Sequence, residues 1–335
     1  MLKTTRGKLA IALTAIAFSG TSFVALADNP AQKNANGQSD APAQAKQGEK
    51  GPEVRFGNPS RTIGSDADQR DYDAQDGGIT GVAITGSRVF ETRVSNAAAP
   101  RPATTVLNLT KHTGNPMPVT KIVAIYWGTG FPPGYQAAVD SYLGVISSPS
   151  NALNSVTNQY FVSPAKNAMS FVRSYTDTTS TPPTSAPTTA SILAEAYKVV
   201  VTQNGGTMDP AGLYMVFTNN FPARANFCAW HGAGSVNGKP FTIAYQPYLG
   251  TMAGCAASYM AGYTVGSTIS GVDAVANVAS HEIYETITDP QLNAWFDANG
   301  AEIGDKCSWN YGSTKVGAYS VQTEWSNSAK GCARS

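Results

Sequence analysis

The chain has 335 residues and a formal net charge of +1 at pH 7, from 23 basic and 22 acidic residues. The basic residues are scattered along the chain, which argues against nucleic acid as a partner. Only 13% of the residues are charged, and this composition, common among exported proteins, does not identify a chemistry.

The N-terminus has the pattern of a secretory signal peptide at residues 1–27. Basic residues precede an apolar run that ends in Ala25-Leu26-Ala27, an A-x-A cleavage signal. The mature chain is therefore predicted to begin at Asp28. No later apolar stretch is long enough for a spanning helix, so we expect no stable membrane insertion and predict a secreted protein, in a periplasm, a cell wall or the extracellular medium.

Export favours disulfide bonds for the cysteines, because an oxidising compartment keeps them paired and none lies in a C-x-x-C pair. Three connectivities are open to four cysteines. The favoured one joins Cys228 to Cys255 and Cys307 to Cys332, because each bond then closes a local loop.

Residues 28–78 are predicted to be a disordered leader or linker, because they contain almost no large apolar residue. Residues 79–335 are predicted to form a single α/β domain, with an exposed Thr/Pro-rich loop at 176–190. The boundary between them is a change in composition rather than a motif.

The domain begins with two predicted strands, 104–111 and 121–128, followed by a helix at 134–147. After the Thr/Pro-rich loop, a helix is predicted at 192–203 and a buried strand at 212–220. This order of elements predicts an α/β fold with a mixed, partly parallel sheet and packed helices.

The C-terminal half contains the string VASHEIYETITDP, residues 278–290. Apolar residues recur there at helical spacing and form one stripe. The opposite side of the predicted helix carries His281, Glu282, Glu285 and Asp289. Because His281 and Glu285 are one helical turn apart, their side chains can reach the same point.

Two interpretations of this polar face are open. It is either a solvated acidic face of an amphipathic helix, or a metal site in which His281 and Glu285 are ligands and Glu282 is a general base toward water. Glu302 follows 17 residues after Glu285, and Asp305 lies three residues further. One of these two could be a third ligand while the other accepts a hydrogen bond from the His281 ring.

In its order and approximate spacing, this HExxE…E..D pattern resembles the thermolysin-type gluzincin peptidases, in which HExxH on one helix is completed by a glutamate on the next. The chain departs from them at Glu285, where those enzymes have histidine, and in the length of the step from Glu302 to Asp305. The resemblance implies a zinc ion held by His281, Glu285 and Glu302, with Asp305 as a further metal-site residue beyond Glu302 and Glu282 as the catalytic base.

The oxygen-rich donor set also leaves other metals open. One histidine with carboxylates accepts zinc, and harder ions such as manganese or calcium are tolerated as well. Asp297 and Asn299 lie beside Glu302 in an acidic loop, so Ca²⁺ remains the alternative ion.

A longer region is similar to the exordium-like (phosphate-induced) protein family. VTKIVAIYWGTGFPPGYQAAVDSYLGVISS fits the early strand and helix of that family, and GLYMVFTNNF with FCAWHGAGSVNGKPFTIAYQPYLGTMAGCAASY fits its central strand and Cys/His-Gly loop. The resemblance covers roughly residues 85–312 and implies export to a cell wall or apoplast, with no assigned reaction. In this loop, His231 is a candidate fourth ligand or transition-state donor, or else a histidine fixed beside a disulfide.

These observations support two functions. The leading hypothesis is a secreted zincin-like metal-dependent hydrolase, a candidate metallopeptidase acting on a peptide or a cell-wall polymer. The alternative is a non-catalytic extracellular exordium-like protein at a wall or matrix, in which the same residues hold a structural ion or none.

Overall fold

The computed structural model of the protein describes residues 82–91, 107–223, 225, 227–250, 252, 255, 268–311 and 314–335. The predicted signal peptide and the predicted leader therefore lie outside the described residues.

The described strands lie in one large sheet and in three small pairs. In chain order they are β1 (Val82–Glu91), β2 (Thr110–Lys111), β3 (Val119–Trp127), β4 (Ala168–Asp177), β5 (Gly212–Thr218), β6 (Phe227–Val236), β7 (Lys239–Gln246), β8 (Trp295–Phe296), β9 (Lys315–Val316), β10 (Tyr319–Ser320), β11 (Glu324–Ser326) and β12 (Gly331–Ala333). The large sheet has six strands in the order β1-β6-β7-β5-β3-β4. Strands β7, β5, β3 and β4 are parallel to their neighbours in this series, whereas β6 is antiparallel to both β1 and β7. The prediction of a mixed, partly parallel α/β fold is confirmed.

The helices pack on both faces of this sheet. They are α1 (Tyr135–Ile146), α2 (Thr189–Tyr197) and α3 (Thr268–Thr288), with 3₁₀ segments at Ala152–Tyr160 and Asp305–Cys307 and a π-helical segment at Lys198–Gln203. Side chains alternate along β3, so that Ile122 and Ala124 face α1 and α3, while Val123 and Ile125 face α2. The sheet is thus the middle of three layers, and the site described below lies on its α3 face.

Over residues 274–288, helix α3 is buried on all sides, including the polar face that the sequence identified. His281, Glu282 and Asp289 have no exposed surface, and Glu285 is 1% exposed. The interpretation of a solvated acidic face is therefore wrong. The physical reason is that α3 packs between strand β6 on one side and the C-terminal segments on the other, so its polar face meets protein and not water.

Two predicted elements differ in the structure. Only Thr110–Lys111 of the predicted strand 104–111 is a strand, and residues 104–106 lie outside the described part. The Asn327 side chain pairs with both the N–H and the carbonyl of Leu109, in place of a strand partner. The predicted Cys/His-Gly loop lies instead within β6, because β1 and β7 pair with this strand on both edges.

Disulfide bonds join Cys228 to Cys255 and Cys307 to Cys332, the same pairs that the sequence favours. The first ties the start of β6 to the segment that follows β7, and the second ties the 3₁₀ segment after Glu302 to β12. In the part of the chain that the structure describes, no helix is both long enough and apolar enough to cross a membrane.

Candidate metal centre

His231 enters the site from the sheet. Trp230 packs on the α2 face of β6, so its neighbour His231 points to the opposite face, toward α3. Its Nδ1 lies 3.1 Å from Oε2 of Glu282 and 3.4 Å from Oε2 of Glu285. These three side chains could together hold a metal ion.

His281 and Asp305 form the other side of the site. Nε2 of His281 lies 3.0 Å from Oε1 of Glu285 and 3.7 Å from Oδ1 of Asp305. The backbone N–H of Asp305 donates to Glu285 Oε1, and Asp305 Oδ2 accepts from the N–H of Glu302, which fixes the loop against the helix. His281, Glu285 and Asp305 are a second group that could hold a metal ion.

Glu302 is buried beside the two groups but belongs to neither of them. Its Oε2 lies 3.1 Å from Nε of Arg88, and its Oε1 lies 3.8 Å from Nε2 of His231. Arg88 also donates to the carbonyl of Gly300 and lies 3.9 Å from Asp289. The arginine on β1 therefore orients Glu302, a role that the sequence analysis did not identify.

The ring of His281 is held by two residues that the sequence analysis also missed. Nε2 of Gln322 lies 3.0 Å from Nδ1 of His281 and donates to the carbonyl of Gly304. The Gly304 backbone lies so close to the ring that an added Cβ would be 2.6 Å from Nδ1. The string EIGD, in which Gly304 precedes Asp305, was a signal of such a close approach.

The site is more acidic than basic, which raises the pKa of both histidines. Burial alone would lower the pKa of His281, but the charge and hydrogen bond of Glu285 raise it to about 10. Burial would also lower the pKa of His231, whereas hydrogen bonds to Glu282 and Glu285 raise it to about 9. The surrounding carboxylates therefore favour the charged form of both rings at neutral pH.

The pKa values of the carboxyl groups shift in different directions, according to the neighbours of each group. Burial raises the pKa of Glu282, although His231 opposes this, and burial with the charge of Glu285 raises the pKa of Asp305 to about 7. Burial would raise the pKa of Glu285 as well, but the charges of the two histidines hold it well below its usual range. Glu285 is thus the carboxylate that stays ionised between the two imidazoles.

The acidic loop around Asp297, which suggested a calcium site, is organised around the ammonium group of Lys306. Asp297 Oδ2 lies 2.7 Å from Nζ of Lys306, and Oδ1 accepts the N–H groups of Asn299 and Ala301. The oxygens of Asp297 are therefore already paired. Asn299 is exposed, and neither residue belongs to the groups around His231 and His281.

Comparison with known proteins gives one short similarity. A stretch of 54 residues is 39% identical to Protein EXORDIUM-like 5 of Arabidopsis thaliana. The chain spans 15% of the length of that relative, and the match covers 15% of this chain. No protein-family model matches the chain, and no solved structure matches it significantly. The similarity hints at the exordium-like family, and with the two disulfides it is compatible with a secreted protein.

Proposed function

We propose that this chain is a secreted protein that binds a divalent metal ion through His281, Glu285 and Asp305. The observation that carries the proposal is the convergence of His281 Nε2, Glu285 Oε1 and Asp305 Oδ1 in the buried space between α3 and the 3₁₀ segment at Asp305–Cys307. One imidazole with two carboxylates is a donor set that suits zinc and also accepts manganese. Zinc is therefore the first ion to test.

The balance of buried charge supports the same proposal. Six carboxyl groups of the described residues are buried in and around the site, namely Glu282, Glu285, Asp289, Glu302, Asp305 and Glu324. Among the described residues, Arg88 contacts this set with a permanent positive charge, and His231 and His281 contact it as groups that can be charged. Because an uncompensated buried carboxylate costs several kcal/mol, a divalent cation would stabilise the folded chain.

A proton on Nδ1 of His281 makes a specific demand on Gln322. Nδ1 carries a proton in the charged ring and also in a neutral ring with an ion on Nε2, and this proton needs an acceptor. Gln322 now presents its NH₂ group to Nδ1. The amide must rotate so that Oε1 accepts this proton, at the cost of the hydrogen bond to Gly304.

The same residues support hydrolysis. A bound metal ion supplies Lewis acidity, which lowers the pKa of a water molecule. We assign the uptake of the proton to Glu282, since its Oε1 accepts no hydrogen bond and burial raises its pKa. His231, bonded to the other oxygen of Glu282, orients that carboxyl group. The proposed substrate is a peptide, because the order of His281, Glu282, Glu285 and Glu302 along the chain resembles the motif of the gluzincin peptidases.

A second candidate function is favoured by the burial of the donors. His231, His281 and Glu282 have no exposed surface, and a closed set of protein ligands is typical of a structural ion. Together with the short similarity to an exordium-like protein, this supports a non-catalytic extracellular role.

Elemental analysis of the purified mature protein after dialysis against metal-free buffer tests the proposal. Wild type is expected to retain metal, while His281→Ala and Asp305→Ala lose the ion of this group. His112→Ala is the matched control, because His112 is an exposed histidine outside the site. Absence of retained metal from wild type, or metal retained fully by His281→Ala, would refute the proposal.

Glu282→Gln separates hydrolysis from structural binding. The variant is expected to keep the ion on His281 and to lose cleavage of a mixed peptide pool followed by mass spectrometry. If neither wild type nor the variant cleaves peptides while both bind metal, the structural role is the correct one.

A further inference from the structure

The donor atoms around Glu285 form two groups and not one. His281, Glu285 and Asp305 are the first group, and His231, Glu282 and Glu285 are the second. Among the described residues, no single group of converging donor atoms includes both histidines. Glu285 is the member that the groups share.

The two oxygens of Glu285 point to different histidines. Oε1 lies 3.0 Å from Nε2 of His281, and Oε2 lies 3.4 Å from Nδ1 of His231. We propose that the site is a dinuclear metal centre, in which Glu285 bridges a first ion on His281 and Asp305 and a second ion on His231 and Glu282. This inference rests on the proposed metal-binding function and adds a second ion to it.

The distances fit a ligand set for the second ion. Two ligand atoms that are each about 2.1 Å from an ion and about 90–110° apart are separated by about 3.0–3.4 Å. Nδ1 of His231 lies 3.1 Å from Oε2 of Glu282 and 3.4 Å from Oε2 of Glu285. Bridged ions in two-metal sites are about 3.5–4 Å apart, a separation that one carboxylate spans.

Buried polar atoms without partners lie next to the proposed ligand atoms of the second ion. Glu282 Oε1, His231 Nε2 and Glu302 Oε1 are fully buried and make no hydrogen bond. Buried polar atoms without partners are rare in folded proteins. None of the three is a ligand atom of the second ion, so they remain available to orient the ligands and to accept a proton.

The same arrangement gives each of the remaining groups a role. With Nδ1 of His231 on the ion, the ring proton lies on Nε2 and faces Glu302 Oε1 at 3.8 Å, while Arg88 holds the other oxygen of that glutamate. A carboxylate behind a ligating histidine fixes its orientation and raises its basicity. Glu282 binds the ion through Oε2, and its Oε1 is still the oxygen that accepts a proton from water.

Metal titration of the full mature chain, first stripped with a chelator, measures the number of ions directly. Zinc titration followed by calorimetry and elemental analysis is expected to give two ions per wild-type chain, and one ion each for His231→Ala and His281→Ala. His231→Gln provides a milder second variant, with folding checked by circular dichroism. His112→Ala is expected to keep both ions.

Electron paramagnetic resonance with Mn²⁺ adds a readout that does not depend on activity. Two ions bridged by Glu285 are expected to give a spin-coupled spectrum, and His231→Ala is expected to give the spectrum of an isolated ion. A single zinc per wild-type chain that is lost only in His281→Ala overturns the dinuclear centre but leaves the proposed function intact. A single zinc lost in both histidine variants also overturns it, and no zinc at all overturns both proposals.

Discussion

Gly304→Ala is expected to displace the ring of His281 and to destabilise the protein. The backbone at Gly304 is ordinary, with φ −76° and ψ −43°, so the alanine meets no backbone strain. Its Cβ, however, would lie 2.6 Å from Nδ1 and 2.9 Å from Cε1 of His281. The ring cannot retreat easily, because Gln322 and Glu285 hold its two nitrogens.

The expected loss in the free energy of unfolding is about 1–3 kcal/mol, the usual cost of overpacking a buried position. Gly144→Ala is the matched control, since Gly144 is an exposed residue inside α1 and an added Cβ there has no atom within 4 Å. Alanine in a helix interior is more stable than glycine by about 0.5–1 kcal/mol. The same chemical change is thus expected to have opposite signs at the two positions.

Urea denaturation in the presence of a chelator measures both variants against wild type. Zinc titration of Gly304→Ala then measures the ring displacement, and we expect an affinity loss of about 10–100-fold, as for other changes to residues that orient a ligand. If Gly304→Ala is as stable as Gly144→Ala and binds zinc as tightly as wild type, the close packing of Gly304 on His281 is refuted.

Three further changes have expected outcomes. Asp177→Asn is expected to lower the free energy of unfolding by about 1–3 kcal/mol at pH 7. Burial would raise the pKa of Asp177, but hydrogen bonds from Thr179 and its other neighbours hold it well below its usual range. The stabilisation is therefore fully present above about pH 4 and declines progressively as the pH falls further, so the difference between wild type and Asp177→Asn is expected to be smaller at pH 3 than at pH 7 in denaturation curves. Replacing Cys307 and Cys332 together by Ala is expected to cost about 3.5 kcal/mol in thermal or chemical unfolding, because the bond closes a loop with a sequence separation of 25; equal stability would contradict this. Gln322→Glu is expected to raise zinc affinity about tenfold by calorimetry, because its carboxylate can accept the Nδ1 proton of a ligating histidine. The same change is expected to destabilise the metal-free protein, because a carboxylate cannot donate a hydrogen bond to the carbonyl of Gly304. Weaker zinc binding would count against the proposed role of Gln322.

Local sequence patterns were sufficient to predict the strands and helices that lie in the core. The apolar run at 121–128 corresponds to β3, and the helical spacing at 134–147 corresponds to α1. The one-turn spacing of His281 and Glu285 predicted that their side chains meet, and they lie 3.0 Å apart. In each case the neighbours are close in sequence, so periodicity alone determines the contact.

The environment of the polar face was decided only by the tertiary structure. Periodicity shows which residues share one side of α3, but it does not show what packs against that side. His231 comes from β6 and Arg88 from β1, more than 40 residues away along the chain in each case. The pairing of β6 between β1 and β7 brings both residues to Glu282 and Glu302, and so turns an apparently solvated helix face into a buried cluster of histidines and carboxylates.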